Sequence, residues 1–168
     1  ELRGKEHILG TVHRAGTVDD PSRLAGIMEA FAELARSTGW TVVVPLHPRT
    51  ANMLGATAAE RWSGLRIVPP VGYLDMLALV HGARLVLTDS GGLQKEACFL
   101  GKRCAILREV TEWPELLGAG GACLVGTDKD RIIATVSTML QESGEPIHAL
   151  FGDGHAAEHI CAELLRTT

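Results

Sequence analysis

Short apolar runs alternate with longer amphipathic stretches along almost all of this 168-residue chain, and few folds accept that order. The runs at residues 7–12 (HILGTV), 41–46 (TVVVPL), 65–68, 84–87, 103–107 (RCAIL) and 121–125 (GACLV) have the length and character of strands. Between them, residues 21–38, 50–62, 73–82, 91–100 and 130–141 read as helices, and 156–166 as a last one. The helix at 21–38 is the best marked. Leu24, Ile27, Met28, Phe31, Leu34 and Ala35 recur at helical spacing, Asp20-Pro21 supplies a cap and a first-turn proline, and Gly39 closes it. Strands that alternate with helices imply right-handed crossovers, and hence a parallel sheet covered on both faces. The expected fold is therefore α/β, a doubly wound, Rossmann-like parallel sheet of about six strands, filling residues 1–168 as a single domain.

Composition narrows the function classes. Aromatic residues make up 4% of the chain against 46% for hydrophobic residues as a whole, so aliphatic side chains must build the core. A net charge of −4 leaves no basic excess for a nucleic-acid backbone. No apolar run approaches the roughly 20 residues of a membrane span, and no signal-like amino terminus is seen, so a cytoplasmic protein without a membrane partner is expected. Cys98, Cys104, Cys123 and Cys161 form no C-x-x-C pair, which predicts buried reduced thiols rather than a zinc or redox site. His148, His155 and His159 are too irregularly set to argue for a metal, and neither metal nor cofactor is expected. His47-Pro48 and Gly152-Asp153-Gly154 read as turns. The chain opens on Glu1 rather than methionine and soon enters a strand, as a piece of a longer protein would.

In doubly wound sheets, ligands sit outside the carboxyl ends of the strands, near the point where strand order reverses. The loops to inspect are thus 13–14, 47–49, 69–73, 89–92 and 108–115. The most informative stretch is TDSGGLQKE at 88–96, where a buried strand runs into Ser90-Gly91-Gly92 and a helix leaves it. N–H groups of a first helical turn lack intrahelical partners, and the helix dipole favours an anion there. Two glycines let a phosphate approach that backbone, and the Ser90 hydroxyl adds a donor. Glu96, about one turn on, can accept both hydroxyls of a ribose. The stretch is neither a P-loop nor G-x-G-x-x-G, which speaks against ATP or NAD. An ordinary strand-to-helix turn capped by Ser90 accounts for the same residues.

Residues 88–128, TDSGGLQKEACFLGKRCAILREVTEWPELLGAGGACLVGTD, resemble the core signature of the bacterial UDP-N-acetylglucosamine 2-epimerases. That signature reads close to TDSGG-[IL]-Q-E-E-A…LGKP…LR-x-T-E-[RW]-P-E…G…LVGTD. TVHR at 11–14, VGYLDM at 71–76 and FGDGHAAEHI at 151–160 fall in the family's order and spacing. The resemblance implies two Rossmann-like domains facing one cleft, a GT-B-type fold, with this chain as the second domain. It further implies that Ser90, Gly91 and Gly92 contact the diphosphate of a UDP-sugar, that Glu96 binds the ribose, and that His13 is the catalytic residue beside the diphosphate and the reacting sugar. Arg14 would add positive charge there, and Arg108 and Glu112 fall at signature positions near the sugar. Ion pairs at the surface or within loops are the alternative for these three.

The chain departs from the family pattern at positions near the site. Gly16 and Thr17 replace a Glu-Asn pair, and Met76 stands where an aromatic commonly flanks uracil. Trp113 replaces the arginine of the best-known members and would present an apolar plate to the sugar–phosphate end. Some relatives that act on modified UDP-hexosaminuronates carry tryptophan there. The implied reaction is inversion at sugar carbon 2 by elimination and re-addition of UDP, within cell-surface polysaccharide biosynthesis. Its acid/base carboxylates would lie in the other domain, so this chain alone is expected to be inactive. The implied partners are a UDP-sugar, the N-terminal domain of the same enzyme and, as in many family members, a second copy in a homodimer. The donor-binding domain of a GT-B glycosyltransferase and a non-catalytic nucleotide-sugar module are the rival readings.

Overall fold

The structure is a computed structural model and describes residues 6–55, 58–62, 64–142 and 150–166. In chain order its elements are β1 (His7–Thr11), α1 (Ala15–Val18), α2 (Pro21–Thr38), β2 (Val42–Pro45), α3 (Pro48–Leu54), α4 (Ala58–Arg61), β3 (Leu65–Val68), α5 (Tyr73–Gly82), β4 (Ala83–Thr88), α6 (Gly91–Phe99), β5 (Cys104–Ile106), α7 (Pro114–Gly118), β6 (Ala122–Leu124), α8 (Lys129–Gln141) and α9 (Ala156–Arg166). The strands form one six-stranded sheet in the order β3-β2-β1-β4-β5-β6, and every neighbouring pair is parallel. The chain winds outward from β1 to β3, and α5 then carries it back to start β4 on the other side of β1. Strand order reverses between β1 and β4, so the carboxyl ends of those two strands flank the crevice where such folds bind ligands.

Local chemistry accounts for most boundaries. The Asp20 carboxylate accepts from the N–H groups of Ser22 (3.0 Å) and Arg23 (3.1 Å) at the start of α2, and Gly39, at φ 72°, ends the helix. The Ser22 hydroxyl first, and then the Arg23 N–H, hold the Asp20 carboxyl below its ordinary range. Leu24, Ile27, Met28, Phe31 and Leu34 of α2 are fully buried, in one core with Ile8, Val42 and Val44 of the sheet and Ile132 and Val136 of α8. The opposite face joins Leu9, Val86 and Ile106 to Val80, Leu93, Ala97 and Leu116. All residues of β1 and β2 are buried, as expected of central strands covered on both sides.

Three expectations need correction. Residues 50–62 are not one helix, because Gly55, at φ 76° and ψ 176°, breaks the run into α3 and α4. α3 also starts earlier than expected, at Pro48, with His47 Nδ1 accepting from the Arg49 N–H (3.2 Å). The cysteines are not uniformly buried. Cys98 and Cys104 are buried, and burial pushes both thiols up in pKa, whereas Cys123 on the edge strand and Cys161 on α9 are exposed. The one-turn helices α1 and α7 are additional, the second beginning at Pro114. His148 lies outside the described residues. No described helix is long and apolar enough to cross a membrane.

Candidate functional site

A cleft of about 280 Å³ opens at the carboxyl ends of β1 and β4. Thr11 at the end of β1 lines it with Val12 and His13 just after, Ser90, Gly92, Leu93 and Glu96 line it from the start of α6, and Pro45, His47, Pro70, Val71 and Met76 close its remaining sides. A larger hollow of about 930 Å³ lies near Trp40 and Trp62, at the opposite ends of the strands. Its Glu29 pairs with Arg61 and Lys129, and its Arg36 pairs with Glu33. The smaller cleft is the candidate site, because it alone sits where strand order reverses and beside a helix start.

Buried hydrogen bonds hold this crevice together. Thr11 Oγ1 and Thr88 Oγ1, which face each other in register across β1 and β4, are 2.6 Å apart, and Thr88 Oγ1 also accepts the Ser90 N–H (3.0 Å). The carboxylate of Asp89 is fully buried and accepts from the backbone N–H groups of His13 (3.0 Å) and Arg14 (2.9 Å). Its Oδ1 lies 3.4 Å from His13 Nδ1, on the ring of a residue that lines the cleft. The His47 ring stands 5.9 Å from that of His13, centroid to centroid. Ser90 caps α6 by accepting the Leu93 N–H at 3.4 Å, a long bond that leaves the hydroxyl free to donate. Glu96 follows Gly92 by four residues, so its carboxylate lies over the same helix face. The helix start can hold an anion, and the carboxylate one turn on can accept two hydroxyls.

A chain of charges runs beside the cleft. Glu112 Oε1 accepts from Arg14 Nη2 (2.8 Å), and Glu112 Oε2 accepts from Arg108 Nη1 (2.5 Å). The hydrogen bond from Arg108, aided by the one from Arg14, holds the Glu112 carboxyl down at about 2. That carboxylate overhangs the first residue of α6, since a Cβ built on Gly91 would lie 3.1 Å from Glu112 Oε2. Trp113 turns elsewhere. Its Nε1–H donates to the Gly91 carbonyl (2.9 Å), and its ring packs edge-on against Phe151 and lies 4.2 Å from Lys95 Nζ.

Of the residues singled out from sequence, the cleft thus gathers His13, Met76, Ser90, Gly92 and Glu96. Gly91 lies beneath the Arg14–Glu112–Arg108 chain, and Trp113 is not among the residues lining the cleft. Thr17 is buried and Gly16 has nothing near its Cα on which a side chain would press. Sequence reasoning missed Asp89, His47 and the Thr11–Thr88 pair. For Asp89 the signal was present, as an acid directly after a wholly apolar strand must find donors when it is buried. Among the described residues, no three His, Cys, Asp or Glu side chains gather as a metal site.

Residues 1–165 match the protein family described as UDP-N-acetylglucosamine 2-epimerase. The chain belongs to that family. It is 42% identical over 159 residues to the UDP-2,3-diacetamido-2,3-dideoxy-D-glucuronate 2-epimerase of Pseudomonas aeruginosa, covering 95% of this chain and 44% of that one. The structure of the Methanocaldococcus jannaschii UDP-GlcNAc 2-epimerase in complex with UDP-GlcNAc and UDP superposes with a TM-score of 0.82 at 36% identity, over 96% of this chain and 45% of the other. A glycosyltransferase of kitacinnamycin shares the fold at a TM-score of 0.68 and 17% identity. The chain therefore spans less than half the length of the epimerases it matches, and within that span it has the α/β, GT-B-type architecture of these relatives.

Proposed function

We propose that this chain is the UDP-holding half of a UDP-N-acetylglucosamine 2-epimerase-like enzyme, which inverts sugar carbon 2 by eliminating UDP and adding it back. The observation that carries this reading is one cleft, at the reversal of strand order, lined by Ser90, Gly92, Glu96 and His13. In it, the amides at Gly91 and Gly92 with the Ser90 hydroxyl hold the diphosphate, and Glu96 takes the ribose hydroxyls. Met76, with Pro70 and Val71, offers the uracil an apolar contact. His13 Nε2 faces the diphosphate and reacting sugar and assists the departing charge, with Arg14 and Arg108 as nearby cations. Glu112 pairs with both of those cations. The relatives named for UDP-GlcNAc or for a diacetamido-glucuronate support a UDP-hexosamine or its uronate as substrate, in a cytoplasmic enzyme of cell-surface polysaccharide synthesis.

Proton exchange at carbon 2 needs an acid/base pair. Glu96 is the one carboxylate among the described residues lining the cleft, and the ribose occupies it. The chemistry is therefore assigned to a second domain, and the chain alone to binding without turnover. Helix α9 supports the same division, because none of its residues is buried and Ile160, Leu164 and Leu165 lie 61%, 64% and 79% exposed. That apolar stripe suits a surface of the rest of the enzyme.

Calorimetry with UDP tests the binding role, and solvent-deuterium incorporation at carbon 2 tests the reaction. The expected results are UDP binding by the 168-residue chain, and deuterium uptake from UDP-GlcNAc or the diacetamido-glucuronate donor only in the two-domain protein. Absence of UDP binding overturns the site, while turnover by this chain alone overturns the division of labour.

A further inference from the structure

Glu112 stands where an incoming diphosphate needs room. Its Oε2 would be 3.1 Å, and its carboxyl carbon 3.5 Å, from a Cβ on Gly91, and Arg14 Nη2 would be 3.8 Å from the same point. A phosphate using the amides at Gly91 and Gly92 therefore meets a like charge at close range, while the guanidinium best placed to greet it is already engaged. We propose that Glu112 is a displaceable counter-anion, which yields Arg14 to the diphosphate and thereby sets the ligand charge the site demands. The inference rests on the assignment of the cleft to UDP.

The structure gives this exchange a direction. Arg108 is 16% exposed and bonds Glu112 at 2.5 Å, four residues along the same loop, whereas Arg14 is 43% exposed and bonds it at 2.8 Å. Glu112 thus stays with Arg108, and Arg14 is the partner that leaves. Neither the loop nor Arg14 depends on Glu112 for its place. Thr111 Oγ1 donates to Gln94 Oε1 (2.6 Å), the Trp113 N–H donates to Thr111 Oγ1 (3.1 Å), and Trp113 Nε1–H donates to the Gly91 carbonyl. Two of these bonds, one on either side of Glu112, pin the loop to α6, and the third braces the loop itself. The Arg14 backbone is held separately by Asp89. A neutral ligand has nothing to offer Arg14 and so cannot drive the exchange, whereas a diphosphate replaces one carboxylate with a stronger anion.

The test is calorimetry of the wild-type chain and Glu112→Gln with UDP, inorganic pyrophosphate and uridine. UDP and pyrophosphate should bind the variant roughly tenfold tighter, the scale of one screened like-charge contact removed and one guanidinium released, with uridine unchanged. Adding Arg14→Gln should abolish that gain. Glu112→Asp, which draws the carboxylate back by one methylene, should give a smaller gain of the same sign, and it serves as the second variant if the glutamine form does not fold. UDP binding that is unchanged or weakened in Glu112→Gln, with wild-type binding intact, overturns the inference alone and makes Glu112 a loop brace. If neither protein binds UDP, the assignment of the cleft falls and the inference falls with it.

Discussion

At the scale of single residues, the proposed ribose contact turns on whether Glu96 accepts two hydroxyls at once. Glu96→Gln removes the charge from both hydrogen bonds, and a charged hydrogen bond contributes about 1.5–3 kcal/mol, so UDP affinity should fall at least ~10-fold. With 2′-deoxy-UDP, wild type and variant should differ less, and an equal loss with both nucleotides would remove the ribose from the assignment. Glu112 offers a pH test. Its carboxyl lies at about 2, below the ordinary 4.5, because Arg108 and then Arg14 bond the ionised form. A folded pKa below the unfolded one stabilises the folded chain at pH above about 4.5, and the contribution fades as pH falls from there to about 2. The Glu112 carboxyl resonance should therefore titrate near pH 2 in the wild-type chain and move up toward 4.5 in Arg108→Met. Gly10 shows what a sequence conceals. A Cβ there would lie 2.6 Å from Phe31 Cε2, so Gly10→Ala should destabilise the chain by about 1–3 kcal/mol, measured by urea unfolding. Nothing in HILGTV announces that constraint, because the ring that imposes it arrives from α2, two elements away.

At the scale of elements, the loop that precedes α7 and the helix α6 form one unit, and the unit explains a departure from the family pattern. Lys95 and Trp113 stand where the pattern that the chain resembles has Glu and, in its best-known members, Arg. They meet here, with Lys95 Nζ 4.2 Å from the Trp113 ring and 4.5 Å from that of Phe151. A cation over two rings thus takes the position where an acid would face a base. Lys95→Glu alone should cost about 1–2 kcal/mol in thermal unfolding, and Trp113→Arg alone a similar amount, whereas the two together should recover part of the loss. Additive losses would separate the pair. The start of α6 was legible in TDSGGLQKE because cap, glycines and helix face are all local. The orientation of Trp113 was not, since it follows from a bond to Gly91 and from Phe151, 38 residues farther on. The caps of α2 are likewise local, with Asp20 and Gly39 at its two ends.

At the scale of the molecule, the alternation of strands and helices was enough to predict a doubly wound sheet, because right-handed crossovers leave few ways to cover both faces. Of the loops that the carboxyl-edge rule picks out, those after β1, β2, β3 and β4 all reach the cleft. What no local pattern reveals is that, among the described residues, α9 buries none of its side chains. A helix of 11 residues is marginal alone in water, and this one buries no side chain against the sheet. In the 168-residue chain, the amides of 156–166 should exchange with solvent within seconds, while those of β1 and β4, buried at the centre of the sheet, stay protected. In the two-domain enzyme, the stripe of Ile160, Leu164 and Leu165 should be covered, and the same amides should slow by about 100-fold or more. Ile160→Ser with Leu165→Ser should leave the unfolding midpoint of the chain unchanged, since both side chains are exposed there. The same pair should lower the stability of the two-domain enzyme by about 3 kcal/mol or more, as two aliphatic side chains lose their burial. Protection of α9 in the chain alone, at the level of β1, would mean that the helix needs no cover, and the strongest structural support for a second domain would be gone.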